Sequence, residues 1–391
     1  MKLVIFGLTV SSSWGNGHAT LWRGLSRALG ERGHRVIFFE RDVPYYAAHR
    51  DLTELAGGEL FLYPSWDVAL PVARRHLRDA DVGMVTSYCP DGIAASELVL
   101  SSAAGVRAFY DMDTPVTLER LARGEPVDYI GPDGLGDFDV VLSYTGGAAL
   151  DALRQRLGAR RVAPLYGSVD PNAYRRVPAV AWYRADLSYL GTYAADRQDR
   201  LAALFIETAR RRPDRRFLIG GAQYPQDFPW TENIYFVQHV PPRDHPAFYS
   251  SSALTLNVTR RPMAEMGYCP SGRLFEAAAC GVPILSDWWE GLDELFEPDR
   301  EILIARDTDE AAAAVDLPRE RLAEIGRAAR ERVLAEHTAE RRARELEAAL
   351  EAPRRPRGTD ARQRREPAAD RQPQPASRAA APFDPSAAGE S

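Results

Sequence analysis

The 391-residue chain is poor in lysine and cysteine. Lys2 is its only lysine, so any side chain that binds phosphate through a positive charge must be arginine or histidine. The three cysteines, Cys89, Cys269 and Cys280, are too few and too scattered for a disulfide framework or a zinc site. They favour reduced thiols, and we therefore expect a cytoplasmic protein.

The chain also has no long apolar run and no excess of positive charge. No segment approaches the roughly 20 apolar residues that span a bilayer, so we expect no transmembrane helix and leave peripheral membrane contact open. A polar, serine-rich stretch follows the short apolar N-terminus MKLVIFGLTV, which predicts a buried strand rather than a secretory signal. The net charge of −6 argues against nucleic-acid binding.

Apolar strands alternate with helices along the first half of the chain. Strands are predicted at residues 3–6, 35–39, 80–87, 106–110, 138–143 and 161–165. This βαβ order predicts a parallel sheet with helices on its faces. Ligands bind such sheets at the carboxyl ends of the strands, so the loops there are the candidate site.

The first of these loops, GLTVSSSWGNG at residues 7–17, raises the alternative of dinucleotide binding, with Glu40 at the end of the second strand as the ribose ligand. The G-x-G-x-x-G fingerprint needs a third glycine at position 20, where the chain has Thr20. Gly15 and Gly17 also lie on a longer loop than the fingerprint uses. We therefore expect no NAD site.

Two side chains near strand ends are candidates for catalysis. His18 begins the helix after that loop, where it can act as a general base or bond a substrate hydroxyl, or can be satisfied by backbone groups. Asp111 and Asp113 form a D-x-D after the strand at 106–110, a pattern that binds divalent metals in a different fold. We predict a polar cleft loop with Asp113 capping the next helix, one of the two carboxylates facing the cleft, and no metal site.

The most informative segment is YCPSGRLFEAAACGVPILSDWWEGLDELFEPDREILIA, residues 268–305. Ser271 is the predicted N-cap of a helix that Gly281 ends. Open N–H groups beside Gly272 and Arg273 form a predicted anion site. A buried strand at 282–285 follows, and the next loop places Trp289 and Gly291 at the ligand edge of the sheet.

This segment resembles the C-terminal domain of GT-B glycosyltransferases, and in particular the spore-maturation CgeB-like branch. The resemblance rests on Arg273, on FEAAACG at residues 275–281, and on the GL…F…EI pattern that begins at Gly291. It implies an α/β protein with two Rossmann-like domains facing a cleft and a C-terminal helix that crosses back to the first domain. It also implies that Glu276 binds the ribose of a nucleotide-diphosphate sugar. Many retaining members carry a second glutamate at the position of Tyr268, so a retaining mechanism is not implied here.

The resemblance also points to donor contacts outside this segment. The loop after the first strand of the second half supplies a cation to the donor phosphates in GT-B enzymes, and Arg197 matches that position best. Asn257 and Arg260 follow a later strand end, at the same expected ligand edge. We expect no cofactor beyond the nucleotide sugar, because arginines can neutralise the leaving diphosphate.

These expectations divide the chain into four parts. Residues 1–172 form the acceptor-side domain, 173–335 the nucleotide-sugar domain and 336–352 the crossover helix. Residues 353–391, rich in Pro, Arg, Ala and Gln, are predicted to be disordered.

The predicted activity is sugar transfer to an unidentified acceptor, which is a glycan, a lipid, a protein or a small molecule. The alternatives are a non-catalytic sugar-nucleotide-binding or spore- or envelope-associated protein on the same fold, and a sugar-nucleotide epimerase. Donor hydrolysis without acceptor would favour a transferase, and interconversion of two sugar nucleotides would favour the epimerase. Tight binding without turnover would favour the non-catalytic protein.

Overall fold

The chain forms two parallel β-sheets. The computed structural model describes residues 1–351. The first sheet contains β1 (Lys2–Gly7), β2 (Arg35–Arg41), β3 (Gly58–Tyr63), β4 (Val82–Thr86), β5 (Val106–Asp111), β6 (Val140–Ser143) and β7 (Val162–Pro164). The second contains β8 (Ala185–Leu190), β9 (Phe217–Gly221), β10 (Ile234–Gln238), β11 (Ser252–Asn257), β12 (Ile284–Ser286) and β13 (Leu303–Ile304).

Helices cover both faces of each sheet. Those of the first half are α1 (His18–Glu31), α2 (Pro44–Ala47), α3 (Trp66–Leu77), α4 (Gly92–Ser101), α5 (Thr114–Ala122) and α6 (Ala148–Leu157). The second half contains α7 (Gln198–Leu201), α8 (Glu207–Arg211), α9 (His245–Ser250), α10 (Arg261–Met266), α11 (Gly272–Ala279), α12 (Leu292–Leu295), α13 (Thr308–Val315), α14 (Arg319–Glu336) and α15 (Ala339–Glu351). A π-helical turn, Ala202–Ile206, joins α7 to α8.

The strand orders place a ligand site at the middle of each sheet. The order is β3-β2-β1-β4-β5-β6-β7 in the first sheet and β10-β9-β8-β11-β12-β13 in the second. The chain therefore proceeds outward in opposite directions from β1 and β4, and from β8 and β11, and such reversals are where α/β sheets bind ligands. The central strands are apolar throughout because helices bury both faces; Leu3 of β1, for example, pairs with Val36 and Val82 and is fully buried.

The chain passes between the two domains twice, and the two crossings are hydrogen-bonded to each other. The Val169 N–H donates to the carbonyl oxygen of His337 at 3.0 Å, and the Ala339 N–H donates to that of Val169 at 2.8 Å. Buried Arg342 reinforces this junction, because its Nε donates to the Gly167 carbonyl oxygen at 3.0 Å.

The last helix, α15, returns to the first domain and packs against α1. Ala343, Leu346 and Leu350 lie in the apolar core beneath the first sheet. The two Rossmann-like domains and the helix that crosses back confirm the predicted fold class.

Some elements differ from the sequence-based expectations. Strand β3 and helix α3 were not predicted, because GELFLY is a half-buried edge strand without a clear apolar run. The segment predicted as the crossover helix, residues 336–352, contains α15, which is separated from α14 at His337 and Thr338, where the chain crosses between the domains. The tail predicted to be disordered lies outside the described residues. None of the helices in residues 1–351 is long and apolar enough to cross a membrane.

Candidate functional site

A cavity of about 780 Å³, counted with the space that opens to solvent, lies between the carboxyl edges of the two sheets. Its first-domain wall is the loop at residues 13–17 and the start of α1. Its second-domain wall comes from the turns after β8, β9 and β10 and from the start of α11.

Helix α11 points its amino end into the cavity. Ser271 caps the helix as predicted, because its Oγ accepts a hydrogen bond from the Arg273 N–H at 3.3 Å. Gly272, the first residue of the helix, also lines the cavity. The open N–H groups and the helix dipole attract negative charge at this position.

Arg273 adds a full positive charge to the same wall, and its guanidinium is held firmly. Its Nε donates to the Leu190 carbonyl oxygen, and its Nη1 donates to Asn257 Oδ1 at 3.2 Å. Asn257 is fully buried and bonds Ser286 Oγ at 2.9 Å, so it orients Arg273 rather than lining the cavity. The guanidinium also lies over the Tyr189 ring, 5.3 Å from the centroid.

Two glycines form a bare backbone floor beside Arg273. A Cβ on Gly191 would lie 2.8 Å from Arg273 Nη2. A Cβ on Gly221 would lie 2.0 Å from the Gly191 carbonyl oxygen. A side chain at either position would collide with Arg273 or with the neighbouring turn, so glycine is required for these two turns to pack closely in the cavity wall.

Glu276 lies in the cavity wall and joins the two domains. Its Oε1 accepts a hydrogen bond from Thr20 Oγ1 of the first domain at 3.3 Å. Its Oε2 lies 3.7 Å from His245 Nδ1. The structure thus brings together the carboxylate expected to bind ribose and the anion-attracting end of α11, within one cavity.

His18 and Asp113, which both belong to the first domain and lie outside the cavity wall, approach each other, with His18 Nε2 3.8 Å from Asp113 Oδ2. Both side chains are buried, and within residues 1–351 neither ring nitrogen nor either carboxyl oxygen has a hydrogen-bond partner of normal geometry. Burial lowers the pKa of His18 to about 4 and raises the pKa of Asp113 to about 8. In neutral solution His18 is therefore an uncharged imidazole, and Asp113 carries a proton.

These positions exclude two of the expectations for the first-domain loops. Backbone groups do not satisfy the His18 ring, and the Asp113 side chain does not cap α5. Asp111 turns inward instead, where its Oδ1 accepts from Thr117 Oγ1 at 3.1 Å, and burial raises the pKa of Asp111 to about 6. The described part of the chain contains no group of three His, Cys, Asp or Glu side chains placed to hold a metal ion.

The other two predicted arginines lie beside the cavity rather than in its wall. Arg260 Nε donates to Asp196 Oδ2 at 2.8 Å, and the charge of Arg260 acts on Asp113 across the domain boundary. Arg197 is only 4% exposed and bonds the Thr192 carbonyl oxygen. Its guanidinium lies 5.9 Å from the centroid of Tyr189, the ring that Arg273 also contacts.

Tyr268, at the position of the second glutamate of retaining relatives, is a contact between the domains. Its ring lies between two glycines, because a Cβ on Gly147 or on Gly291 would come within 2.6 or 2.5 Å of ring atoms. The hydroxyl donates to Glu294 Oε1 at 2.7 Å. No carboxylate faces the cavity from this position.

Trp289 and Gly291 do not line the cavity, contrary to the donor contacts expected of them. The loop after β12 turns back into the second domain, where Trp289 is 2% exposed and packs in the core with Phe275 and Phe296. Gly291 has no side chain, and the Tyr268 ring occupies the space that a side chain would fill.

Glu40 shows why the first loop does not have a dinucleotide-binding shape. Its buried carboxylate accepts hydrogen bonds from Thr9 Oγ1 at 2.7 Å, from the Val10 N–H at 2.7 Å and from the N–H and hydroxyl of Ser11. It holds this loop in place and is not directed at a ribose.

Sequence reasoning missed an aromatic contact at the cavity mouth. The Trp14 ring stacks on His49 with centroids 4.1 Å apart, and its other neighbour, at 4.1 Å, is His239 of the second domain. His239 lines the cavity in a left-handed conformation, with a φ of 50°. The available signals were a tryptophan in a Ser/Gly-rich loop and a histidine directly after a strand.

Comparisons with known proteins agree with the two-domain fold. Residues 197–348 match the family described as "Glycosyl transferase-like". Anabaena HepE, in complex with UDP and glucose, is 14% identical with a TM-score of 0.62, over 90% of this chain and 99% of that chain. Sucrose-phosphate synthase from Thermosynechococcus elongatus is 14% identical with a TM-score of 0.60, over 89% and 97%.

An E. coli structure described as "Trehalose-6-phosphate … bound with UDP-2-fluoro glucose" is 12% identical with a TM-score of 0.61, over 91% of this chain and 100% of that chain. No curated protein sequence matches the chain. From the two Rossmann-like domains and these likenesses, the chain has the GT-B fold, and its residues 197–348 are similar to the glycosyl transferase-like family.

Proposed function

We propose that this protein is a glycosyltransferase that moves a sugar from a UDP-sugar to an acceptor hydroxyl. One observation carries the proposal: the cavity sets the Glu276 carboxylate, the Arg273 guanidinium and the amino end of α11 around a glycine floor. HepE and the E. coli structure hold UDP or a UDP-sugar on the same fold, which supports the choice of base and of donor class.

The donor nucleotide binds mainly to the second domain. Glu276 accepts hydrogen bonds from the ribose hydroxyls, and the diphosphate lies against Gly272 and Arg273 at the start of α11. Arginine suits this position because its planar fork binds phosphate oxygens through two hydrogen bonds. Arg197 lies behind this wall and adds positive potential as charge develops on the leaving diphosphate, whereas the charge of Arg260 is paired with Asp196.

His18 and Asp113 act together as the general base. Near neutral pH only Asp113 of the two groups holds an ionisable proton, because burial raises the pKa of Asp113 to about 8 and lowers that of His18 to about 4. Once that proton is lost, the pair can take the proton of an acceptor hydroxyl. Asp113 lies at Nε2 of His18, and both ring nitrogens are buried outside the cavity wall, so the cleft must open before an acceptor hydroxyl reaches Nδ1.

This base favours a single displacement. A deprotonated hydroxyl attacks the anomeric carbon from the side opposite the diphosphate, and such an attack inverts that carbon. Tyr268 is consistent with this course, because its ring is committed to the contact between Gly147 and Gly291 and it provides no carboxylate for the sugar.

The proposed reaction uses neither a metal ion nor an organic cofactor. The charge that a divalent ion would supply is assigned to Arg273, with Arg197 behind it. Undiminished turnover in excess EDTA is the expected result, and a loss that Mg²⁺ restores would contradict this assignment.

The finer classification is also part of the proposal. The motif from Arg273 to Gly281 supports membership of the CgeB-like branch. The buried free thiols of Cys89, Cys269 and Cys280 support a cytoplasmic location. The acceptor is a hydroxyl compound that binds on the first-domain side of the cleft.

A thermal-shift screen tests the donor site. Wild type, Glu276→Ala and the exposed-carboxylate control Glu265→Ala are scanned with UDP-, GDP-, ADP- and dTDP-sugars, because a ligand that binds only folded protein raises Tm. A shift with UDP-sugars that Glu276→Ala loses and Glu265→Ala keeps is expected. Slow release of UDP from UDP-glucose without acceptor would add evidence for transfer chemistry. No shift with any donor would refute the proposal, and binding without any turnover would indicate a sugar-nucleotide-binding protein.

A further inference from the structure

One side chain that the proposed reaction has not used, His245, contacts three functionally separate parts of the molecule. It begins helix α9 and lines the cavity. Its ring lies next to Val240 on the loop after β10, to Glu276 on α11 and to Tyr174 on the segment that connects the domains.

The bond to Val240 determines how the ring is protonated. His245 Nε2 lies 3.0 Å from the Val240 carbonyl oxygen. A carbonyl oxygen can only accept, so Nε2 carries a proton and donates it. The other nitrogen, Nδ1, lies on the opposite side of the ring. It faces Tyr174 and Glu276.

Nδ1 is the meeting point of these two groups. It lies 3.3 Å from the Tyr174 hydroxyl and 3.7 Å from Glu276 Oε2. Tyr174 is 5% exposed, and burial together with the Glu276 carboxylate raises its pKa well above the usual value, so it remains a neutral donor. The second carboxylate oxygen, Oε1, accepts from Thr20.

The Glu276 carboxylate is thus surrounded by groups that limit its rotation. A carboxylate that binds both hydroxyls of a ribose must turn both of its oxygens toward the sugar. A flexible glutamate side chain meets this condition only when neighbouring side chains hold it.

We propose that His245 is a positioning residue for nucleotide binding, which orients the Glu276 carboxylate toward the ribose and ties it to the loop after β10 and to Tyr174 of the connecting segment. This inference rests on the proposed function, since it assumes that Glu276 receives the ribose. Tyr174 supports the same carboxylate from the connecting segment, which places part of the donor site on the hinge between the domains.

The test measures affinities by calorimetry for UDP and for 2′,3′-dideoxy-UDP, which lacks both hydroxyls that Glu276 would bind. The variants are His245→Gln and Tyr174→Phe. Gln keeps a donor that can reach Val240 but loses the group at the Nδ1 position. The control is Tyr183→Phe, because Tyr183 belongs to the same core cluster as Tyr174 and is not in the cavity wall.

His245→Gln is expected to weaken UDP binding about tenfold, because the Glu276 carboxylate loses the ring that holds Tyr174 beside it, and to leave dideoxy-UDP binding within about twofold of wild type. Tyr174→Phe weakens UDP in the same selective way and to a smaller degree, and Tyr183→Phe changes neither affinity. In a Glu276→Ala background, His245→Gln has no further effect on UDP.

Several results would overturn the inference. Equal losses for UDP and dideoxy-UDP would show that His245 only supports the fold. Unchanged UDP affinity in His245→Gln and Tyr174→Phe, while wild type binds UDP and loses affinity for the dideoxy compound, would refute the inference and leave the proposed function intact. Wild type that binds neither nucleotide would refute both.

Discussion

Replacing Asp113 with asparagine should make the protein more stable and less active at the same time. Asn has the shape of Asp but cannot ionise. The pKa of Asp113 is raised by burial from 3.8 to about 8, so the folded protein binds this proton more tightly than the unfolded chain does. The contribution of the Asp113 proton to the free energy of unfolding is fully present below about pH 4. It is lost as the pH rises through about 8.

The size of the effect follows from the pKa. Wild type loses about 1.4 kcal/mol of unfolding free energy for each pH unit in this window, whereas Asp113→Asn does not. The difference between variant and wild type should therefore grow by about 4 kcal/mol from pH 5 to pH 8. The charge of Arg260 stays compensated in the variant, because Asp196 bonds it at 2.8 Å.

Urea denaturation at pH 5, 6.5 and 8 measures this difference, with the exposed Asp128→Asn as the control. UDP release in the transfer assay should fall about 100-fold or more in Asp113→Asn, because the remaining base, His18, has a pKa of about 4. A stability difference that does not change with pH would refute the reasoning about burial. A variant that is less stable than wild type at pH 8 would show that Asp113 is ionised and needed as the partner of Arg260.

The remaining predictions concern the same cleft and its frame. The value of kcat/KM should rise about tenfold per pH unit up to about pH 8 and then level off, since Asp113 must lose its proton; a flat profile from pH 6 to 9 would contradict this. Arg273→Lys should weaken UDP binding about tenfold in calorimetry, because lysine cannot form the two-pronged phosphate contact, and should lower Tm because the bonds to Leu190 and Asn257 are lost. Gly291→Ala should lower the unfolding free energy by about 1–3 kcal/mol, because the new methyl group would collide with the Tyr268 ring. Leu346→Ala should lower it by about 2–5 kcal/mol by leaving a cavity under the first sheet, and both losses are measurable by urea denaturation.

Local sequence patterns were sufficient to predict most strands of the first sheet and the amino end of α11. The fully buried run in β1 could only be a strand covered on both faces, and its alternation with helices predicted the parallel sheet. The cap at Ser271 and the position of Gly272 follow from neighbours in the sequence, so the amino end of α11 was also predictable.

Contacts between distant residues could not be predicted in this way. The D-x-D pattern did not show that Asp111 turns inward to Thr117 while Asp113 faces His18, because that choice depends on packing between helices. Trp289 shows a similar limit: its strand-end position was correct, but the direction of its side chain is decided by the second-domain core. The ring of Tyr268 between two glycines involves both domains, and no local signal marks it.

The return of α15 to the first domain reverses the usual order of maturation on the ribosome. Domains generally fold as they emerge, the amino-terminal one first. Here Leu346 and Leu350 are part of the core under the first sheet, so that core is incomplete until the whole second domain has been synthesised. The second domain, whose sheet and covering helices lie between Ala185 and Glu336, can close before the first. A nascent chain released before Leu346 would therefore lack a wall of the domain that was made first.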